Sequence, residues 1–438
     1  MTALDSDVIV ARSTPSGRGA LAVLRLSGTL ASQLAAVLCP GAPKWVARRA
    51  SLRQVRAEDG RVLDDALVTW MPGPHTYTGE DVVELSCHGN PALVDVVIAR
   101  CVALGARPAR AGEFTRRAVV NGRLDLVQAE AIDGLIRART LAGVHAARSG
   151  VDGALDGRLE DFRERLLDAA AELEARLDHP GEELGELDDA QLADVLRQIA
   201  ADCAALAGTW AGVARRIEGA TVALVGPVNA GKSSLFNHLV GTHRALVSAE
   251  PGTTRDAVER TVDYHGVAVT FVDTAGVRSG AGAIEAAGIA LGSQLARDAD
   301  LRLQLFHPAQ PPHKQDLPHP TWTVATHRDL HEGELVADFT VSNVTGSGLD
   351  ALREALAAWL TASDPAGAAV VGSQRQADLL LKMAEHAEEA AELLQSPVGP
   401  VVAAEAVTTA LERLGAMRGH DVREDVLDRL FARFCIGK

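Results

Sequence analysis

No stretch of about 18 apolar residues runs without a charge, so no membrane-spanning helix is expected. The first residues, Met1 to Asp7, are acidic and lack the basic start of a secretory signal. Cysteine is sparse and odd in number. Five thiols in 438 residues (Cys39, Cys87, Cys101, Cys203, Cys435) lie far apart with no CxxC pair. That pattern argues against a zinc cluster and a disulfide framework, and fits a reducing cytosol. Positive charge is also short: 43 Lys+Arg against 58 Asp+Glu leave a net −15. The chain as a whole is therefore no polycation that coats nucleic acid. The shortfall is uneven, because residues 1–125 hold 15 basic and 12 acidic side chains. Any nucleic-acid contact has to be local or partner-assisted. No internal repeat is evident. What remains is ordinary globular composition, 47% hydrophobic and 23% charged, long enough for about three domains. A cytoplasmic protein is expected.

Composition divides the chain into four stretches. Residues 1–121 mix short apolar runs (Val8–Val10, Leu21–Leu24) with turn signals such as Thr14-Pro15-Ser16-Gly17, which reads as α/β. Residues 122–215 read as helical. Leu159, Phe162, Leu166, Ala169, Leu173 and Leu177 recur at steps of three and four, an apolar stripe along one helix. Pro180-Gly181 ends that helix, and another begins by Leu192. Residues 216–362 return to α/β, opening with the continuous apolar run Ala220–Val225 of a buried parallel strand. After Ser363-Asp364-Pro365-Ala366-Gly367, residues 363–438 are helical again. Two helical flanks around an α/β unit suggest an inserted domain, since neither flank holds a full core.

Gly226-Pro227-Val228-Asn229-Ala230-Gly231-Lys232-Ser233 fits G-x-x-x-x-G-K-S, after an apolar strand and before the helical segment Ser234–Leu239. In such a loop, amide hydrogens and the helix N-terminus face phosphate. Lys232 would reach the β- and γ-phosphates, and the Ser233 hydroxyl would ligate Mg²⁺. Downstream, Gly252-Thr253-Thr254-Arg255-Asp256 sits where a switch loop supplies a threonine to Mg²⁺, with Thr254 the better candidate. A hairpin turning at His265-Gly266 then delivers Asp273-Thr274-Ala275-Gly276. Asp273 would hold the water shell of Mg²⁺, and the Gly276 amide would read the γ-phosphate.

The base end departs from pattern. Where GTPases carry Asn-Lys-x-Asp, this chain has Thr326-His327-Arg328-Asp329, keeping only the aspartate that pairs with the guanine N–H groups. The strand before it, Leu301-Arg302-Leu303-Gln304-Leu305, alternates where a buried strand should be apolar throughout. Ser342-Asn343-Val344 offers a last base-contacting loop. His307, His313 and His319 match no metal-ligand spacing and read as a solvated loop.

Together these motifs resemble one family over nearly the whole chain: the tRNA-modifying GTPases MnmE, also called TrmE. The resemblance rests on Thr14–Gly19, Leu24-Arg25-Leu26-Ser27-Gly28, Tyr77-Thr78-Gly79-Glu80-Asp81, His88-Gly89, Gly112–Ala118, Asn121–Leu126 and the ending Phe431-Ala432-Arg433-Phe434-Cys435-Ile436-Gly437-Lys438. It implies a multidomain α/β plus all-α protein. The parts are an N-terminal folate-binding and dimerising domain, a helical domain made from both flanks, and an inserted Ras-like G domain. It further implies GTP hydrolysis coupled to modification at C5 of the wobble uridine of certain tRNAs, through a carboxymethylaminomethyl or aminomethyl group. The one-carbon unit would come from 5-formyl- or 5,10-methylene-tetrahydrofolate, and the amine from glycine or ammonium. The family's FAD-dependent partner is MnmG (GidA), so FAD would sit on that partner.

Residue by residue, the resemblance carries over as follows. Val277 occupies the place of the Ras glutamine, and Glu285 matches the family's water-orienting glutamate. K⁺ in place of an arginine finger would be held by Asn229 and by largely main-chain contacts at Ser248, Glu250 and Thr253. With Ala230, Gly231, Ser234, Ala275 and the base-end residues, these complete the GTP site. Arg25, Glu84, Arg123 and Lys438 match the folate site, where basic groups suit carboxylates and Glu84 suits pterin donors. Cys435, beside Arg433 and Lys438, fits a nucleophile or proton donor in the tRNA chemistry. One competing class is a GTP-dependent assembly or regulatory factor, which has no use for folate motifs or a terminal cysteine; another is a scaffold whose guanine site has drifted, suggested by Thr326-His327-Arg328-Asp329 but set against triphosphate motifs intact from Lys232 to Glu285.

Overall fold

The structure, a computed structural model, describes residues 7–41, 45–178, 187–241, 246, 259–274, 294–310, 318, 320–331, 333, 335–362, 369–394, 396, 399–419, 422 and 424–437. They form two units, residues 1–129 with 415–438, and residues 130–414. No helix among the described residues is long and apolar enough to cross a membrane.

In the first unit, β1 (Ile9–Arg12), β2 (Leu21–Ser27), β3 (Ser51–Arg56), β4 (Val62–Met71), β5 (Val82–His88) and β6 (Arg107–Pro108) make one sheet in the order β3-β4-β5-β2-β1-β6. Helices α1 (Ala31–Leu38), α2 (Pro91–Ala103) and α3 (Glu113–Val120) accompany it. Strand β2 shows why the sheet is sided: Ala22, Leu24 and Leu26 enter the core while Leu21, Val23 and Arg25 face the other way. The core lies between that face and α1 and α2. Asn90 starts α2, its side chain accepting from the Ala92 amide at 2.9 Å ahead of Pro91.

Helix α4 (Leu126–Arg137) leads to α5 (Leu141–Val151), α6 (Asp156–Asp178), α7 (Asp189–Gly208) and α8 (Trp210–Glu218). The expected stripe on α6 is buried from Leu159 through Leu173, whereas Leu177, in the last turn, is 38% exposed. The start of α7 is set by a capping box, with Asp188 and Gln191 each accepting from the other's amide at 2.7 and 2.9 Å.

The second sheet comprises β7 (Ala220–Val225), β8 (Glu259–Tyr264), β9 (Val267–Asp273), β10 (Leu301–Phe306), β11 (Thr321–Ala325) and β12 (Phe339–Thr340), ordered β12-β11-β10-β7-β9-β8. All neighbours are parallel except the β8–β9 hairpin. Helices α9 (Lys232–Val240) and α10 (Leu349–Thr361) join its core. Then come α11 (Gln374–Leu393), α12 (Gly399–Arg418) and α13 (Glu424–Phe431). Helix α11 packs along α7, and Arg375 and Gln376 meet the buried Glu130 carboxylate at 2.7–2.8 Å.

Strand β10 corrects the expectation drawn from its alternating pattern. It is a central strand between β7 and β11, and Arg302 is only 3% exposed. The Arg302 guanidinium donates to the carbonyls of Ala296 (2.6 Å) and Arg297, at the end of the helical turn 294–298. Those carbonyls have no partner within the helix, so one residue solves two problems at once.

Candidate functional site

Strand β7 ends where the phosphate loop begins, because its parallel partners β9 and β10 stop the chain inside a sheet whose C-terminal edge gathers the loops. Asn229 (φ 64) and Gly231 (φ 79) turn the loop in left-handed backbone, and Lys232 is the first residue of α9. The left-handed φ at Gly231 favours glycine, and a Cβ there would also lie 2.8 Å from Asn343 Nδ2, which would have to give way. Lys232 is 4% exposed, and its ammonium donates to the carbonyls of Gly226 (2.9 Å) and Pro227 (2.6 Å) across the loop. The Ser233 hydroxyl donates to Asp273 Oδ2 at 2.6 Å. A hydroxyl and a carboxylate converging at a helix N-terminus are the hard oxygen donors that Mg²⁺ takes beside phosphate. Among the described residues no group of three His, Cys, Asp or Glu could hold a metal by itself. Thr274 is buried and donates to the Leu224 carbonyl at 2.7 Å, which ties β9 to β7 just beyond Asp273.

At the expected base end, the residues of the degenerate motif are tied to the phosphate loop and to Ser342. Thr326 is fully buried, and its hydroxyl sits 3.0 Å from the Ala230 carbonyl of the phosphate loop and 3.1 Å from Phe306 O. His327 (φ 56) opens a short 3-10 turn that carries Asp329, and its ring lies 4.7 Å from that of His307. The Ser342 hydroxyl donates to Asp329 Oδ1 at 2.5 Å and accepts from the amides of Val344 and Thr345. That bond holds the Asp329 carboxyl below the ordinary carboxylate range. Asn343 Nδ2 donates to Gly231 O at 3.2 Å, and the Asn343 carbonyl accepts from His238 Nε2 of α9. Sequence reasoning gave no role to the side chains of His238, His307 or His327, and no spacing rule marks them. Ser234 and Val344 are exposed beside the loop. Ser248, Glu250, Thr253, Thr254, Ala275, Gly276, Val277, Glu285, His313, His319 and Lys438 lie outside the described residues.

In the other unit, Arg25 and Glu84 face each other across β2 and β5, with Nη2–Oε1 2.7 Å and Nε–Oε1 2.9 Å. The Arg25 guanidinium lies 5.7 Å from the ring centres of both Tyr77 and Phe114. Arg123 donates to the Thr76 carbonyl at 3.1 Å, one residue from Tyr77. Phe114 is fully buried beneath the guanidinium, so the partly exposed Arg25–Glu84 pair, a cation beside a carboxylate, is what can meet a heterocycle with several N–H donors. Behind them runs an ionic chain that sequence reasoning left unassigned. Arg117 binds Asp7 (2.6 Å) and Glu80 (2.9 Å), and Arg107 pairs with Asp7 and Glu113.

The last residues return to this unit. Gly112 N donates to Cys435 O at 3.3 Å, Ala111 bridges Ile436, and Ser13 Oγ donates to Gly437 O at 3.2 Å. Phe431 and Phe434 pack with Leu126 and Ala129. All five cysteines are free, and Cys435 alone is exposed. Burial pushes the Cys39, Cys101 and Cys203 thiols up to about 12, which makes them inert.

Two families match the chain. Residues 8–123 match the N-terminus of the GTP-binding protein TrmE, and residues 126–435 match the MnmE helical domain. The tRNA modification GTPase MnmE of Myxococcus xanthus is 41% identical over 446 residues, covering 99% of each chain. That of a Thermus thermophilus strain is 39% identical over 438 residues, again covering 99% of each. Among solved structures, the G domain of the T. maritima FeoB iron transporter aligns with 31% of this chain and 94% of its own at 27% identity, with a TM-score of 0.23.

Proposed function

Because the chain belongs to the MnmE family of tRNA modification GTPases, we propose that it couples GTP hydrolysis to modification at C5 of the wobble uridine of certain tRNAs, in the cytoplasm and together with the FAD-dependent partner MnmG. The observation that carries this reading is the full-length family match, joined to an exposed Cys435 held beside Gly112 in the folate-motif unit. A plain switch protein needs neither feature.

The domains we assign are residues 1–121 for folate binding and homodimerisation, 122–215 and 363–438 for the helical domain, and 216–362 for an inserted Ras-like G domain. The helical-domain match running from 126 to 435, across the second sheet, supports the insertion.

In the G domain, Lys232 and the loop amides bind the triphosphate, and Ser233 with Thr254 would hold Mg²⁺, with Asp273 fixing its water. Asn229 and the main chain at Ser248, Glu250 and Thr253 would hold K⁺. These ions supply positive charge where the transition state gathers negative charge. Glu285 orients the attacking water, and Asp329 accepts from the guanine N–H groups. In the N-terminal domain, Arg25, Glu84, Arg123 and Lys438 bind the tetrahydrofolate derivative, the first two as an ion pair that is still partly exposed. Cys435 then acts as nucleophile or proton donor toward the uridine.

Nucleoside analysis of tRNA from a deletion strain tests the reading. The modified wobble uridine should vanish and return on complementation with this chain, but not with its Cys435→Ser variant. Unaltered tRNA in the deletion strain would instead favour the assembly-factor class.

A further inference from the structure

One buried hydroxyl joins the helical flank to the nucleotide-binding sheet. Thr140 is 6% exposed and starts α5, its Oγ1 accepting from the Gly143 amide at 3.1 Å. The same hydroxyl donates to the carbonyl of Gly266 at 2.7 Å. Gly266 is the tip of the β8–β9 hairpin, in left-handed backbone (φ 83), and a Cβ there would stand 2.8 Å from the Cβ of Ala142. Asp263 Oδ1 closes the turn on the Gly266 amide at 2.8 Å. Six cross-strand pairs, from Glu259↔Val272 to Tyr264↔Val267, make the hairpin one stiff lever. Its far end carries Asp273, which receives the Ser233 hydroxyl, while β8 lies at the sheet edge with β9 as its one neighbour. Along the chain, β8 directly follows residues 247–258, which include Thr253 and Thr254.

We propose that Thr140, outside the nucleotide-binding module, is a positioning residue for GTP hydrolysis. Its hydroxyl fixes the hairpin tip and thereby sets the ends of β8 and β9 against the phosphate loop. The loop itself rides on β7 and α9, which are also held by β10 and the buried core of the sheet, so losing the anchor lowers turnover while leaving nucleotide binding intact. The inference rests on GTP hydrolysis alone, and not on the identity of the modified nucleoside.

Three variants of the full chain separate the anchor from the helix cap. Thr140→Ser keeps both hydrogen bonds. Thr140→Asp still accepts from the Gly143 amide but has no proton for the Gly266 carbonyl. Thr140→Val loses both. GTP turnover and GDP affinity are measured for each. The serine variant should match the parent, while the aspartate and valine variants should lose roughly five- to tenfold in kcat, with KM and the GDP Kd within about twofold. An aspartate variant as fast as the parent would show that only the cap matters, and the proposal would fall. It would fall equally if the serine variant were as slow as the valine one, or if GDP affinity dropped in step with kcat.

Discussion

The two ends of the nucleotide-binding module are built on different principles. At the phosphate end the proposed ligands are main-chain amides, and the side chains put forward with them, Lys232 and Ser233, sit where the loop's geometry puts them. Such a site tolerates no rewording, and the sequence retains it in full. At the base end the work falls to side chains, which allow substitution if the contact survives. Thr326 reaches Ala230 of the phosphate loop with a hydroxyl, and Asp329 is held by Ser342. The two ends also interlock, since Asn343 grips the Gly231 carbonyl. The degenerate motif thus keeps a tether to the phosphate loop through Thr326.

The sharpest break between the two ends comes from Lys232. Replacing it with alanine removes the one buried ammonium in the loop, and kcat/KM for GTP should fall about a thousandfold. Because the phosphates are common to every nucleoside triphosphate, the loss should be the same for GTP and its purine analogues in a competition assay. A loss confined to GTP would mean that the loop takes part in reading the base. Asp329→Asn should do the reverse. A carboxylate accepts from guanine N1–H and the 2-amino group, whereas an amide can donate to the 2-oxo group of xanthine. GTP binding should weaken about ten- to a hundredfold while xanthosine triphosphate gains. Unchanged selectivity would move base reading away from Asp329.

Much of this was readable in the residues themselves. The buried run Ala220–Val225, the hairpin at His265-Gly266 and the phosphate loop are local patterns whose meaning does not depend on distant partners. Strand β10 was not readable that way. Arg302 is acceptable in a central strand because the carbonyls of Ala296 and Arg297 end a helical turn beside it, and that geometry leaves no periodic trace. Composition and periodicity hid the destination of the C-terminus for a similar reason, and only the resemblance, by putting Lys438 with Arg25, Glu84 and Arg123, pointed to it. Residues 374–438 share one helical pattern, yet those from Gly415 onward group with residues 1–129, through single contacts such as Gly112 to Cys435 and Ser13 to Gly437. Nor does any motif mark Thr140, a threonine whose second hydrogen bond crosses 126 positions of sequence.

The smallest effect tests how the base end holds its one retained motif residue. Asp329 is exposed, and the largest influence on its carboxyl is the Ser342 hydroxyl, which favours the charged form and keeps it ionised to lower pH than usual. Ser342→Ala removes that donor, so the Asp329 midpoint should rise toward the ordinary aspartate value of about 3.9. The sign matters: with the serine present the carboxylate persists as pH falls, and without it protonation sets in earlier. Near neutral pH both proteins carry the same charge, and GTP affinity should fall by less than about tenfold, since the buried hydroxyl also leaves the Val344 and Thr345 amides. The direct measurement is an NMR titration of the labelled aspartate carboxyl carbon in both proteins. A midpoint that stays put would mean the turn at Arg328–Leu330, and not the hydroxyl, keeps Asp329 ready, placing the base end under the same backbone rule as the phosphate end.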